Sequence, residues 1–326
     1  MKSFKNHVKE ETSLHTPVNT TDIVSFYESI DIKKYKDVLD FIAESNGTNY
    51  IYRGLYGAKY FDFMEITPNK SVRKSANEKT NIYNMLVSDI LECWSGYPKR
   101  SKSAICTTNS STARGYGNIF VVIPQNHAMF GVCNSDDFWM SFDNTLEDVS
   151  IRSMEIFSTL LLQFIIYCGN VLQIPSIKKA DMMGMSSSTL KHFLEVISYH
   201  LNIHSTINDK KSFDIDLILK YAFRTDKTGD FSNAEHDTFM ENRNLNKITE
   251  LFYKYHKGDT INLLGALETI LDPYRNDFKL MDFDTLMLGV NGRKLKDNEV
   301  WTNSNALLIN EDSIDSFIRY YIHNIT

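Results

Sequence analysis

The sequence predicts an α+β protein in which a split β-sheet core carries a large helical insertion. Short β-like runs occur before about residue 150 and again after about residue 280, whereas aliphatic residues recur at helical spacing between them. Hydrophobic residues make up 42% of the chain of 326 residues, which is enough to bury a sizeable core. We therefore divide the chain into a flexible leader (1–20), a first part of the core (21–149), a helical insertion (150–280) and a second part of the core (281–326).

The first elements follow from periodicity and from the residues that interrupt it. Apolar residues at helical spacing predict a helix over Asp22–Ser45, and the pair Asn46-Gly47 ends it. Asn49–Arg53 is typical of a strand, which we expect to stop at Gly54. A helical period returns over Asn77–Trp94.

The remaining strands are short runs of β-branched and other apolar residues. We expect them at Ser103–Thr108, Asn118–Pro124, Met129–Val132, Leu286–Val290, Glu299–Thr302 and Ala306–Ile309. The predicted sheet is therefore assembled from both ends of the chain.

Composition and charge exclude several classes of protein. The net charge of −6 disfavours broad nucleic-acid binding, which needs a basic face. The four cysteines have neither zinc-site spacing nor CxxC pairing, and scattered cysteines indicate buried thiols in a reducing compartment. Polar residues interrupt the longest apolar stretch, Ile156–Leu172, so we expect a buried helix there, since spanning a bilayer takes about 20 apolar residues. The first 20 residues lack the apolar region of a secretory signal, and we expect no membrane partner.

Three short segments suggest one active site: Tyr52-Arg53-Gly54, Thr107-Thr108-Asn109 and Asp297-Asn298-Glu299. Each lies at a predicted strand. A guanidinium is a rigid, permanently charged fork that suits a diphosphate. Small hydroxyl groups can brace neighbouring backbone and a carboxylate. An ionised carboxylate can stabilise the positive charge that develops on a sugar when its glycosidic bond breaks.

This order of segments resembles the arginine–serine–glutamate class of mono-ADP-ribosyltransferases, which includes the cholera-toxin-like and C3-like toxins. Ala113 and Tyr116-Gly117 follow the second segment as in that family. The resemblance implies that NAD is the substrate and that no metal is needed. It assigns the cofactor diphosphate to Arg53, with Gly54, Thr107, Thr108, Asn109 and Tyr116 also at the cofactor, and it makes Glu299 the catalytic carboxylate.

The sequence departs from the family pattern in two places. Thr-Thr-Asn replaces a Ser-Thr-Ser-like triplet, and the long gap between Thr107 and Glu299 requires the helical insertion. Asp297 stands where the family usually has Glu or Gln to select the acceptor, so the resemblance allows an arginine acceptor. Gly289–Lys296 is expected to be the mobile turn that faces this acceptor.

Each candidate also has an ordinary structural interpretation. Arg53 can be a salt-bridging arginine, Thr-Thr-Asn can serve a turn, and Glu299 can be solvated at a strand start. Phosphate or adenosine contacts compete with capping or surface pairing at four further residues: Arg73, Asn77, Asn81 and Arg100. His200 and His204 have the i, i+4 spacing of metal ligands, but no third ligand is evident.

We therefore expect a mono-ADP-ribosyltransferase that modifies a macromolecule, with a host protein as the expected acceptor and nucleic acid left open. Two alternatives remain: a binding or structural protein that retains the fold without activity, and an NAD glycohydrolase. No P-loop, dinucleotide fingerprint or nucleophile elbow is present in the sequence. The Lys-, Asn- and Ile-rich composition resembles proteins of large tailed bacteriophages, which implies a location in the bacterial cytoplasm or carriage in the virion.

Overall fold

The computed structural model describes residues 19–45, 50–58, 60–70, 78–142, 146, 154–171, 185–206, 248, 251–252, 254–255, 260–289 and 295–325. They form nine strands: β1 (Asn19–Thr20), β2 (Ile51–Leu55), β3 (Phe63–Ile66), β4 (Ala104–Thr107), β5 (Asn118–Pro124), β6 (Met129–Val132), β7 (Lys279–Asp282), β8 (Glu299–Thr302) and β9 (Ala306–Asn310). The α-helices are α1 (Ile23–Ser29), α2 (Lys36–Glu44), α3 (Glu78–Met85), α4 (Ser110–Arg114), α5 (Met154–Val171), α6 (Ser187–Thr206), α7 (Leu263–Ile270), α8 (Phe283–Leu288) and α9 (Ile314–Ile325).

The chain divides into two compact units. A sheet unit takes the described residues of Lys9–Lys74, Ser95–Ser141 and Asp277–Thr326, and a helical unit takes those of Ser75–Trp94 and Phe142–Asn276. The mixture of helices with an antiparallel sheet confirms the predicted α+β class.

All nine strands belong to one antiparallel sheet in the order β1-β3-β9-β5-β2-β4-β8-β6-β7. Its middle is weakly joined, because β2 and β4 share a single residue pair, Tyr52 opposite Thr107. By contrast, β2 runs beside β5 over its whole length, from Ile51 opposite Val122 to Leu55 opposite Asn118. The sheet therefore has two well-paired halves that meet between β2 and β4.

The core of the sheet unit lies between the sheet and helices α1, α2, α8 and α9. Phe26 of α1 stacks on Phe63 of β3 with ring centroids 5.4 Å apart, and Phe317 of α9 contacts both rings. Phe41 of α2 meets Phe283 of α8 edge-on. Burial of such rings contributes about 1.5–3 kcal/mol per side chain, so these contacts hold the helices on the sheet.

The helical unit has its own apolar core. Phe164 of α5 contacts Phe252 with ring centroids 5.2 Å apart, and Leu194 of α6 and Leu267 of α7 are fully buried. Trp94 donates its indole N–H to the Leu271 carbonyl at 2.8 Å, which satisfies the polar atom of a buried ring. The apolar stretch predicted as a buried helix forms α5. Among the described residues, no helix is long and apolar enough to cross a membrane.

Several strand predictions are confirmed with the same bounds, namely β5, β6 and β8. Other boundaries differ. The helix predicted over Asp22–Ser45 is broken, because Ile30 is extended between α1 and a 3₁₀ turn that leads into α2. The helix predicted over Asn77–Trp94 becomes α3, a π-helical turn and a 3₁₀ turn, with residue 77 outside the described residues. Residues 19 and 20 of the predicted leader form β1.

The strand predicted at Leu286–Val290 is wrong. Leu286, Met287 and Leu288 belong to α8, whose first turn is capped by Asp282 through a 2.8 Å hydrogen bond from the Thr285 N–H, and residue 290 lies outside the described residues. The helix ends at Gly289, which has a φ of +83°. An aspartate before the run and a glycine after it are helix-boundary signals. They outweigh the apolar run that suggested a strand.

Candidate active site

Three neighbouring strands bring the predicted segments together. Tyr52 on β2 lies opposite Thr107 on β4, and Thr107 lies opposite Glu299 on β8. Residues directly opposite on paired strands point to the same face of a sheet. Tyr52, Thr107 and Glu299 therefore share one face, although the second and third segments are separated by most of the chain.

The threonines of the second segment fix the backbone that leads into Glu299. The Thr108 hydroxyl accepts a hydrogen bond from the Asn298 N–H at 3.0 Å, and the Thr108 N–H donates to the Asn298 carbonyl at 3.1 Å. The Thr107 hydroxyl accepts from the Asn109 N–H at 3.1 Å. We expected these hydroxyls to contact backbone and the Glu299 carboxylate, and their described hydrogen bonds all go to backbone.

Helix α4 contacts both the first segment, at Gly54, and the third segment, at Asp297. Asn109 begins it as the N-cap, because its side chain accepts a hydrogen bond from the Ser111 N–H at 2.8 Å. Thr112 on this helix donates to the Asp297 carboxylate at 3.1 Å, which holds that exposed side chain beside α4. Capping is therefore the observed role of Asn109, for which the ordinary interpretation was a turn.

Gly54 allows α4 to lie close to β2. A Cβ atom at this position would come 1.9 Å from the Ala113 carbonyl oxygen and 2.8 Å from the Tyr116 Cβ. The predicted stop of the strand at Gly54 is wrong, because β2 continues to Leu55 and uses Gly54 for close approach rather than for a turn. Tyr116 is half-buried at the end of this crossing.

Arg53 occupies a different place from the other segment residues. Adjacent strand residues point to opposite faces, so Arg53 points away from the face of Tyr52 and Glu299. Arg53 points to the same face of β2 as Ile51 and Leu55, two residues of the buried core. Its Nη1 donates to the Ile105 carbonyl at 2.6 Å, and 5% of its surface is exposed. The register thus separates Arg53 from the Glu299 side chain.

The arginine that contacts Glu299 is Arg100, which lies in a 3₁₀ turn before β4. Arg100 Nη2 is 2.6 Å from Glu299 Oε1, and the two side chains are 4% and 13% exposed. The second carboxylate oxygen, Oε2, accepts a hydrogen bond from the Phe138 N–H at 3.3 Å. Both oxygens of Glu299 are therefore fixed, and the carboxylate is largely buried, unlike the solvated side chain of its ordinary interpretation.

Aromatic residues hold Arg100 in this position. Its guanidinium carbon lies 4.3 Å from the ring centroid of Phe138 and 5.1 Å from that of Trp139. Trp301, two residues after Glu299 on β8, donates its indole N–H to the Pro98 carbonyl at 2.8 Å. This bond attaches the segment before Arg100 to the strand that carries Glu299.

A second buried carboxylate lies in the same cluster. Asp137 caps the 3₁₀ turn Phe138–Met140, because its Oδ1 accepts a hydrogen bond from the Trp139 N–H at 2.8 Å. Burial, and next the negative charge of Glu299, raise the pKa of Asp137 to about 7. Burial also raises the pKa of the nearby Cys133 thiol well above its ordinary value. The cluster thus combines two carboxylates, one guanidinium and a neutral thiol.

Other candidates lie apart from this cluster or outside the described residues. Arg73, Asn77 and most of the predicted mobile turn belong to the latter, as do the side chains of Asn81 and His204. His200 lies on α6 in the helical unit and is half-buried. Among the residues that the structure describes, no group of three His, Cys, Asp or Glu side chains is arranged to hold a metal ion.

Sequence reasoning named Arg100 only as a possible phosphate contact and did not identify Asp137 or Phe138 as site residues. Arg100 and Glu299 are 199 residues apart, so no local pattern joins them. One sequence feature could have indicated a neighbour of Glu299. Glu299 and Trp301 are two residues apart on a predicted strand and therefore point to the same face. That face must meet an aromatic or cationic neighbour.

No known protein family, curated protein or solved structure matches this chain.

Proposed function

We propose that this protein is a mono-ADP-ribosyltransferase that uses NAD as its substrate. The observation that carries the proposal is the adjacency of β2, β4 and β8, which bear the three segments of the predicted site. The single residue pair between β2 and β4 supports a split-sheet core of the ADP-ribosyltransferase type. Residues that resemble a family motif only by order in the chain have no reason to lie on neighbouring strands.

In this reaction the bond between C1′ of the ribose and the nicotinamide nitrogen breaks. Nicotinamide leaves with the bonding electron pair, an acceptor nucleophile attacks C1′, and the nucleophile then loses its proton. Glu299 stabilises the positive charge that develops on the ribose. A carboxylate offers about four lone-pair sites, and Arg100 and the Phe138 N–H use one on each oxygen. Lone pairs therefore remain for the ribose.

The other residues supply positioning. Thr107 and Thr108 fix the backbone before Glu299, and Asp297, which is exposed beside α4, is the residue proposed to orient the acceptor. The diphosphate role of Arg53 and the stacking role of Tyr116 come from the family resemblance. Arg53 lies buried on the opposite face of the sheet from Glu299, so it must both release the Ile105 carbonyl and leave the core before it can serve a phosphate in the same site.

The expected acceptor is a host protein in the bacterial cytoplasm, which accords with the acidic composition and with the phage-like residue usage. An exposed aspartate near the carboxylate favours a cationic acceptor such as an arginine side chain. Transfer to nucleic acid and transfer to water, which is the NAD glycohydrolase reaction, are the two other fates of the ribosyl group.

A binding or structural protein on the same fold is the second candidate, and one observation favours it. Glu299 is ion-paired with Arg100 and largely buried, which is also the arrangement of a structural ion pair. In that case the ion pair of Glu299 stabilises the fold, and Glu299 contacts no substrate.

The deciding experiment incubates the protein with NAD labelled in its adenylate phosphate and with bacterial lysate. Wild type, Glu299→Gln and the matched control Glu311→Gln are compared, because Glu311 pairs with Arg114 on the exposed surface of the same unit. We expect label on a discrete macromolecule, at least about 10²-fold less in Glu299→Gln, the scale of losing one preorganised electrostatic group. Glu311→Gln should match wild type.

The products separate the remaining alternatives. Nicotinamide release without label on any macromolecule would identify an NAD glycohydrolase. Protease or nuclease treatment of the labelled fraction names the acceptor class. Neither label nor nicotinamide release from wild type would reject the enzyme and leave the binding or structural protein.

A further inference from the structure

We infer that Arg100 is a positioning residue for Glu299, whose carboxylate it holds in one orientation inside the site. The inference rests on the proposed function, since it concerns the carboxylate assigned to catalysis. It gives Arg100 a role that the motif resemblance assigns to no residue.

The first support is the geometry at the carboxylate. Oε1 contacts Arg100 Nη2 at 2.6 Å and Oε2 accepts from the Phe138 N–H at 3.3 Å, so the carboxylate is held from two sides. The backbone is fixed as well, because the Glu299 N–H donates to the Ser135 carbonyl at 2.9 Å and its carbonyl accepts from the Cys133 N–H at 2.9 Å. A side chain held in this way meets the preorganisation that catalysis requires.

The second support is the way in which Arg100 itself is held. Phe138 and Trp139 present their rings to the guanidinium, which is a flat, weakly hydrated cation that stacks on aromatic faces. Trp301 fixes Pro98, two residues before Arg100, to the strand of Glu299. This contact fixes the segment of Arg100 against β8, the strand that carries the Glu299 carboxylate.

The third support is the balance of charge. Asp137 and the Cys133 thiol, on the segment after β6, both interact electrostatically with Glu299 and with the opposite charge of Arg100. Removing it leaves two buried carboxylates beside each other, and like charges in a buried site take up a proton. Burial, and next the charge of Glu299, already raise the pKa of Asp137 to about 7, and the charge of Arg100 opposes this rise.

The test compares Arg100→Met and Arg100→Lys with the matched controls Arg114→Met and Arg114→Lys. Nicotinamide release from NAD is measured from about pH 5 to 9 as kcat and KM. In Arg100→Met we expect kcat to fall at least about tenfold with KM within about twofold of wild type, because the carboxylate acts in the transition state. Loss of the guanidinium leaves Oε1 of Glu299 without the contact that orients it, so the effect should appear in kcat and not in substrate binding.

Arg100→Lys keeps the charge but not the flat fork that orients the carboxylate, so kcat should still fall about tenfold while KM stays within about twofold of wild type. It carries the test alone if Arg100→Met does not fold. A merely structural role for Arg100 would lower the stability of Arg100→Met and leave kcat and KM of the folded variant at their wild-type values. Both Arg114 variants should show the wild-type profile.

The outcomes separate this inference from the proposed function. Wild-type protein without nicotinamide release overturns the function itself. Wild-type release combined with wild-type kcat in folded Arg100→Met, or with full kcat in Arg100→Lys, overturns the inference and leaves the function standing.

Discussion

Two arginine–glutamate pairs in the sheet unit use the same residue types in opposite environments. Arg100 and Glu299 are 4% and 13% exposed and 2.6 Å apart, whereas Arg114 and Glu311 are 69% and 37% exposed and 3.6 Å apart. The rings of Phe138 and Trp139 cover Arg100 of the first pair, whereas the second pair is exposed to solvent. Burial therefore decides which of two chemically identical pairs can influence a site.

The difference follows from the cost of removing charge from water. Two buried charges need each other, because either one left alone keeps the full desolvation penalty. An exposed pair loses little when it separates, since water solvates both partners. The buried pair thus constrains its surroundings, and the exposed pair does not.

The largest expected effect comes from breaking the buried pair. Arg100→Met should lower the free energy of unfolding of the sheet unit by about 3–5 kcal/mol, because it leaves Glu299 buried without its cation. Arg114→Met should lower it by less than about 1 kcal/mol. Urea unfolding followed by the fluorescence of Trp301 and Trp139 measures both. Equal losses in the two variants would mean that the Arg100 pair is effectively solvated.

The strands of the sheet were largely predictable, and the exceptions have a physical cause. Runs such as β5 combine β-branched residues with burial on both faces, so the residues themselves show the strand. In β7 only Met281 is buried, and a four-residue strand with one apolar contact has no periodicity to detect. The helix α8 was missed because its capping residues were given less weight than its apolar run.

The site was predictable only where the order of its segments along the chain indicated it. Thr107, Thr108 and Glu299 were placed near one another by the order of their segments, and the strand register brings them together. The sequence could not show that Arg53 and Glu299 point to opposite faces, because this depends on the register between β2 and β4. Nor could it distinguish Arg100 from Arg114, because only the fold buries one and exposes the other.

A pH-dependent effect tests the second carboxylate of the buried cluster. The pKa of Asp137 is about 7 in the folded protein against an ordinary value of 3.8, so between about pH 4 and 7 the folded state holds a proton that the unfolded chain has released. The stabilising contribution is complete below about pH 4 and is lost as the pH rises through about 7, at no more than about 1.4 kcal/mol per pH unit.

Asp137→Asn removes this dependence and keeps an oxygen for the Trp139 N–H. Relative to wild type, the variant should therefore gain stability as the pH rises from about 4 to 7, which urea titrations at several pH values measure. Asp136→Asn, at the exposed neighbouring residue, is the matched control. Parallel stability curves for wild type and Asp137→Asn would show that Asp137 is ionised throughout this range.

The smallest expected effect belongs to the exposed pair. A double-mutant cycle of Arg114→Met and Glu311→Gln should give a coupling energy of at most about 0.5 kcal/mol in dilute buffer. It should vanish near 1 M salt, where the screening length of about 3 Å is shorter than the distance between the charged atoms. The same cycle on Arg100 and Glu299 should keep most of its coupling at that salt concentration, because counterions cannot enter between two side chains that the rings of Phe138 and Trp139 cover. If salt weakened both couplings equally, burial would no longer explain why one pair belongs to the site and the other to the surface.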